Sequence, residues 1–194
     1  MKKFILVLLL MTQPLLSYAA QSLSRDSIKA FYATSDELDK LEIKYPQEFQ
    51  RIDTYKLNQK YAMISYIKSS KAYSDIHSVI SAKGFSSLSD FFDVSLRLMG
   101  GMYKVQMQKM SAQEKIQMEN MQKTFSSNID MMRKNGMPES MIAGMKAQLQ
   151  EMRTSQIEMQ EAAKYATAAD VKFINDNYDW IMSVMPKEDL AEHR

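Results

Sequence analysis

The sequence predicts an all-α protein, and three observations carry that prediction. Apolar residues recur three or four positions apart in every segment, and no segment shows a convincing run of strict alternation. Five glycines and four prolines in 194 residues are too few for a fold with many turns. The 18 methionines, together with glutamine, lysine and alanine, favour helix. We expect one domain of about seven helices that includes a long, methionine-rich, antiparallel helical hairpin.

The N-terminus has the pattern of a secretory signal peptide. Two lysines precede the apolar run Phe4–Met11, and Ser17 and Ala19 supply the small residues at positions −3 and −1 of a cleavage site. The apolar run is too short to span a bilayer as a helix, so we expect no stable membrane insertion. We therefore expect residues 1–19 to be a signal peptide and the mature protein to be periplasmic or secreted in a bacterium.

Charge and cysteine content exclude several classes of function. The signal peptide takes away two of the 25 basic side chains, which leaves as many basic as acidic side chains in the mature chain. A chain without net charge lacks the excess of basic side chains that is typical of proteins that bind nucleic acid. The absence of cysteine excludes disulfides, thiolate metal sites and a cysteine nucleophile. An exported protein of this kind depends on its apolar core.

Residues 20–84 predict a cluster of short helices. The start and stop signals in this segment are, in chain order, an N-cap at Ser24, a capping box at Thr34 and Glu37, a break at Tyr45–Pro46, an N-cap at Ser69 or Ser70, and a C′ glycine at Gly84. The first two signals lie ten residues apart, which predicts two helices between Ser24 and Tyr45.

Residues 85–166 predict long helices that carry thirteen of the methionines, from Met99 to Met159. The signals here are a capping pair at Ser87 and Asp90, an interruption at Gly100–Gly101, a capping box at Ser111 and Glu114, and a helix end followed by a helix start at Asn135–Pro138. Adjacent interior glycines favour a bend or close packing. Whether the helix restarts at Ser111 or runs through it stays open.

For the long helix that follows Pro138, the sequence predicts one continuous apolar seam. A strict alternation of three and four residues links Ile142, Met145, Leu149, Met152, Gln156, Met159, Ala163 and Ala166, with one polar break at Gln156. Thr167 and Asp170 then open a terminal helix, which we expect to fill residues 167–186 and to end at Pro186. Residues 187–194 form a polar tail that we expect to be flexible.

Candidate catalytic residues are scarce, so we expect no catalytic site and no enzyme. The two histidines are His77, within a predicted helix, and His193, in the tail. No nucleophile elbow, zinc-protease motif, phosphate-binding glycine loop or EF-hand occurs in the chain. Acidic pairs lie at a helix start and in the tail, where they cap a helix or are solvated. We expect no cofactor.

The methionines allow two further hypotheses. The alternative to core packing is a periplasmic Cu(I) site, because soft thioether sulfurs three residues apart share one helix face and select Cu(I). Its candidate ligands are Met99, Met102, Met107, Met110, Met118 and Met121. Packing accounts for most methionines, since this flexible side chain fills gaps between long helices. We therefore expect these methionines to pack against other helices and to bind no metal.

An adaptable binding surface is the function we favour. Methionine side chains repack around different apolar partners at little cost, and this region carries more apolar breadth than a two-helix seam needs. The candidate surface consists of Met107, Met110, Met118, Met121, Met131 and Met132. We expect an interaction or chaperone-like module whose partner is a protein or peptide, and self-association into a homo-oligomer is a further option.

The segment Ser70–Met107 resembles small exported all-helical proteobacterial proteins of unknown function. The resemblance rests on a helix ending at Gly84-Phe85, a serine-rich cap at Ser87, an aromatic-bearing helix after it and the later turn at Asn135. It implies a long helical hairpin and carries no catalytic or ligand residues. In architecture alone the chain is also similar to periplasmic helical-hairpin chaperones of stress responses.

Overall fold

The structure is a computed structural model that describes residues 22–186, and those residues fold as an all-helical protein. The all-α prediction is confirmed. The predicted number of about seven helices is too low, because the described residues form nine α-helices and a short 3-10 helix at Leu57–Gln59. The helices are α1 Arg25–Lys44, α2 Pro46–Ile52, α3 Lys60–Ser69, α4 Tyr73–Ala82, α5 Leu88–Lys109, α6 Ala112–Lys134, α7 Glu139–Ala163, α8 Ala168–Asp176 and α9 Tyr178–Val184. The predicted signal peptide at residues 1–19 and the tail at residues 187–194 lie outside the described residues.

Helix α1 is one helix where the sequence predicts two. Ser24 caps it as expected, since its hydroxyl accepts a hydrogen bond from the Ser27 amide. Thr34 does not cap a second helix. Its side chain is fully buried, and its hydroxyl donates to the Ala30 carbonyl 2.7 Å away, one turn earlier in the same helix. A threonine hydroxyl can satisfy itself in this way inside a helix, so a capping pattern alone does not mark a helix start.

The next boundaries follow local backbone chemistry, with one correction. The break at Tyr45–Pro46 is confirmed, because α1 ends at Lys44 and α2 begins at Pro46. The N-cap of α4 is Ala72 rather than Ser69 or Ser70, whose hydroxyls instead donate to carbonyls at the end of α3. Gly84 ends α4 with φ of 91°, a left-handed conformation that glycine adopts without steric cost.

Helix α5 continues through Gly100 and Gly101 without interruption. The two glycines instead allow neighbouring helices to pack closely against it. A Cβ atom at Gly100 would overlap the backbone carbonyl of Ala162 in α7, and one at Gly101 would overlap the Ile174 side chain of α8. Of the two outcomes expected for the glycine pair, the structure shows close packing. The glycines let α7 and α8 approach two sides of α5.

The main core lies around α5 and is built by helices from both ends of the chain. Val94, Leu98 and Val105 of α5 are buried in it together with Ile28 of α1 and Ile174 of α8. Successive contacts between α5 and α8 advance in the same direction along both helices, from Arg97–Asp170 to Gly101–Ile174. The two helices therefore run parallel.

The terminal segment forms two helices rather than the single helix predicted for residues 167–186. Thr167 caps α8 as expected, but the helix ends at Asp176 and α9 begins at Tyr178. The side-chain amide of Asn177 donates to the Phe173 carbonyl at 2.9 Å. This bond satisfies a carbonyl at the end of α8, so the chain can change direction between the two helices.

Candidate functional site

Helices α6 and α7 carry most of the methionines singled out by the sequence. Helix α6 begins with the expected capping box, in which the Ser111 hydroxyl accepts from the Glu114 amide and the Glu114 carboxylate accepts from the Ser111 amide at 2.7 Å. The Ser111 backbone bond and then its hydroxyl lower the pKa of Glu114. The helix therefore restarts at Ser111, which settles the alternative that the sequence leaves open.

The turn between α6 and α7 lies at Asn135–Pro138. Gly136 adopts φ of 70°, as expected of a residue that ends a helix in the left-handed conformation. Helix α6 packs chiefly against α7, whereas α7 also packs against α5. One side of α6 is thus shared with α7, and the rest of the helix lies outside the main core.

A small apolar cluster joins α6 to α7 near this turn. Ile129 of α6 and Ile142 and Leu149 of α7 are buried in it, at 5%, 1% and 7% exposure. Phe125, Met132 and Met145 pack around these three residues. Met132, predicted as part of the interaction surface, therefore belongs to the contact between the two helices.

The apolar stripe of α6 extends beyond the part that α7 covers. Spacings of three and four residues place Met118, Met121, Phe125, Ile129 and Met132 on one side of the helix, and we call this set the α6 stripe. Its C-terminal end is covered by the cluster, yet Met121 is 51% exposed. The α6 stripe is therefore covered near the turn and exposed at Met121.

Further apolar side chains are exposed around the same two helices. Met131 is 59% exposed although it adjoins the half-buried Met132. The other exposed apolar residues of this region are Ile116, Met137, Met141 and Ile157. Sequence reasoning did not select these four, because their positions fall outside the continuous stripes. Their exposure makes the apolar surface of the pair wider than predicted.

The six predicted surface methionines do not form one patch. Met107 and Met110 are half-buried at the end of α5, and Met118 and Met121 lie in the first half of α6. Met131 lies ten residues after Met121, about 15 Å further along the helix. Met107 and Met110 thus lie at the α5–α6 junction, Met118 and Met121 lie further along the first half of α6, and Met131 lies near the turn.

The candidate copper ligands are spread too far along the chain to surround one ion. Met99 and Met110 lie eleven residues apart in one helix, a rise of about 16 Å. Met102 packs against the main core, and the Met99 sulfur lies 3.7 Å from the Ser95 hydroxyl, which donates to it. The arrangement offers neighbouring pairs of sulfurs, not a six-ligand site.

A buried carboxylate in the main core is a site that sequence reasoning missed. Asp170 is fully buried and accepts two hydrogen bonds from the Arg97 guanidinium, at 2.9 Å and 2.5 Å. It also accepts from the Leu23 amide at 3.1 Å and from Thr167. Burial by itself raises the pKa of Asp170, but these donors outweigh burial and hold the pKa at about 2. The sequence indicated Asp170 only as the capping partner of Thr167, and it indicated Arg97 only as an arginine between two leucines of an apolar helix.

The role of the Asp170 carboxylate is structural. Both its oxygens are engaged by donors, and it stays ionised at neutral pH, so it has no proton to exchange there. His77 is exposed and lies beside the Tyr73 ring, with 5.6 Å between ring centroids. His193 lies outside the described residues. Among residues 22–186 no three His, Asp or Glu side chains are grouped to hold a metal ion.

A second ion pair, formed by a buried lysine, lies one turn earlier along α5. The Lys60 ammonium, buried at the start of α3, donates to the Asp93 carboxylate at 2.6 Å. The same ammonium lies 4.9 Å from the ring centroid of Tyr61 and 5.9 Å from that of Tyr165. This pair ties the 3-10 segment and α3 to α5, and it too is a structural contact.

No family model, curated protein or solved structure matches this chain. In the part of the chain that the structure describes, no helix is both long enough and apolar enough to cross a membrane.

Proposed function

We propose that the protein is a non-enzymatic interaction module that acts in the periplasm or outside the cell, after removal of residues 1–19. Its binding element is the methionine-rich helical hairpin formed by α6 and α7. Its partner is an apolar segment of another protein or a peptide, held in a chaperone-like manner. The exposure of Met121 within the α6 stripe is the observation that carries this proposal.

The composition of the hairpin supports an adaptable surface. Methionine has three rotatable bonds and a polarisable sulfur, so a methionine surface repacks around partners of different shape. From Ala112 to Ala163 the chain carries seven acidic and six basic side chains. Because the charges nearly balance, they give little long-range selection, and apolar contact decides which segments bind.

Oxidation of the methionines tests the proposed surface. Mild peroxide should oxidise Met121 and Met131 before Met145 and Met152, because only the first two are exposed. Sulfoxide is polar, so partial oxidation should reduce the capacity to suppress aggregation of chemically reduced insulin, while helicity is retained. Peptide mass spectrometry and circular dichroism give the two readouts. Uniformly slow oxidation, or protection of Met118 and Met121 by stoichiometric Cu(I), would contradict the proposal.

Substitution tests the same surface without an oxidant. Met121→Glu places a charge on the open part of the α6 stripe and should weaken suppression of insulin aggregation about tenfold, since an apolar partner would then have to desolvate a carboxylate. Ser127→Glu is the matched control, because it adds the same charge at an exposed position of the same helix on the side away from the α6 stripe. Equal loss in both variants would show that charge, and not the stripe, governs binding.

A further inference from the structure

An apolar cavity of about 200 Å³ lies among α1, α2, α3, α4 and α5. Its lining includes Ile76 and Ile80 of α4 and the aromatic rings of Phe49, Phe91 and Phe92. Among the described residues, none of those that line it belongs to α6 or α7. It is therefore a different site from the proposed interaction surface.

The cavity reaches into the main core. Ile67, Ile76, Ile80 and Leu88, which form part of its lining, are all buried core residues. One wall is held by aromatic packing, because the Phe91 ring lies 5.4 Å from the ring centroid of Phe31 and 5.5 Å from that of Phe92. A rigid wall and a buried floor keep this space from closing by small side-chain movements.

The lining provides little for water to bind. Its two polar side chains are Ser35 and Asp39, both on α1. The Ser35 hydroxyl already donates to the Phe31 carbonyl at 3.2 Å, and Asp39 is exposed, which places it at the solvent side. Water on this lining therefore lacks the several polar partners that hold a buried water in place, and an apolar ligand gains affinity by displacing it.

We propose that this cavity binds one small, uncharged, apolar molecule, such as a single aromatic ring or a short alkyl chain. The size is suited to a group slightly larger than benzene. An anionic ligand of the same shape is disfavoured, because its charge finds no polar partner on the apolar lining and is repelled by the Asp39 carboxylate at the solvent side of the cavity. The ligand is thus selected by size and by the absence of negative charge.

Toluene and benzoate, which share one ring and differ in charge, are the probes that test this proposal on the full chain. Toluene should bind saturably at one site and shift the methyl resonances of Ile76 and Ile80 in carbon–proton correlation spectra. Benzoate should bind at least about tenfold more weakly because of its charge. Asp39→Asn should reduce the difference in affinity between toluene and benzoate, because it removes the negative charge beside the cavity.

Three variants complete the experiment. Ile52→Trp, at a half-buried lining position, and Ser35→Leu both fill the cavity and should each abolish the toluene shifts. Ile43→Trp is the matched control, because Ile43 is exposed and does not line the cavity. If Ile52→Trp proves unfolded by circular dichroism, Ser35→Leu decides the outcome. Absence of saturable toluene binding, equal affinity for benzoate, or unchanged binding in a folded cavity-filling variant overturns the proposal.

Discussion

At the scale of single residues, Asp170 combines complete burial with a pKa far below its ordinary value. The carboxylate is held ionised by Arg97, Leu23 and Thr167, residues that come from three separate parts of the chain. A buried ion pair seldom adds much stability over an apolar pair, but removing one partner leaves an uncompensated charge in the core. Asp170 therefore matters most when it is protonated or replaced.

We expect acid to destabilise the protein through Asp170. The pKa is lowered from 3.8 to about 2 on folding, so its contribution is fully present above the unfolded value and is lost as pH falls toward 2. The shift corresponds to about 2 kcal/mol of unfolding free energy. Urea melts of the wild type at several pH values should show this loss between about pH 4 and pH 2.

Substitution at Asp170 separates this residue from the other carboxylates. Asp170→Asn should cost about 3 kcal/mol at neutral pH, because Arg97 stays buried without its charge partner. The acid-dependent loss of stability should become correspondingly smaller. Asp176→Asn is the control, since Asp176 forms an exposed ion pair with Lys172 on the same helix and should change stability by less than about 1 kcal/mol. If Asp170→Asn lost as much stability in acid as the wild type does, other carboxylates would be responsible for that loss.

At the scale of helices, Gly100 of α5 and Gly144 of α7 serve different purposes. Gly100 lets the backbone of α7 approach α5, so Gly100→Ala forces a methyl group against the Ala162 carbonyl. Gly144 in α7 has open space around it. We expect Gly100→Ala to destabilise the protein by about 1–3 kcal/mol through overpacking. Gly144→Ala should stabilise it by about 0.5–1 kcal/mol through helix propensity, and thermal melts of both variants give the comparison.

The α6–α7 contact provides a second prediction at this scale. Leu149 is buried in the cluster between the helices, so Leu149→Ala should cost about 2–5 kcal/mol by leaving a cavity. Ile157 lies on the same helix but is 59% exposed, so Ile157→Ala should change stability by less than about 0.5 kcal/mol. Equal costs in denaturant melts would show that the seam of α7 is buried differently from the described structure.

The same helices show which features the sequence could predict. The caps at Ser87, Ser111 and Thr167 were predicted, since each depends on a partner three residues away. Thr34 was misread, because its hydroxyl has a second local partner in the preceding turn. The Arg97–Asp170 pair joins residues 73 positions apart, so no local pattern announces it.

The candidate site was predictable only in part, for a similar reason. Spacing identifies the α6 stripe, but it cannot show how far along the stripe α7 extends. Met121 is exposed and Ile129 is buried because neighbouring side chains cover only part of the α6 stripe. Which part is covered is decided only when the helices pack. The Gly100–Gly101 packing was expected as one of two options, and the neighbouring helices decided between them.

At the scale of the whole molecule, the buried apolar residues fall into two unequal clusters. The main core joins α1, α3, α4, α5, α8 and α9, and no residue of α6 or α7 belongs to it. The second cluster contains three buried residues, Ile129, Ile142 and Leu149. Because stability within a protein follows local burial, the α6–α7 pair near its turn should open more easily than the main core.

Native-state hydrogen exchange tests this difference directly. The amides of Ile129 and Ile142 should exchange through local opening, at a lower free energy than those of Ile76 and Val94, which should exchange only on global unfolding. Leu149→Ala should lower protection around Ile129 further and leave the local contacts of Val94 unchanged, because the second cluster shares no buried residue with the main core. Equal protection at all four amides would mean that the two clusters unfold together. In that case the α6 stripe would be a rigid surface, and a binding partner would have to fit it without local opening.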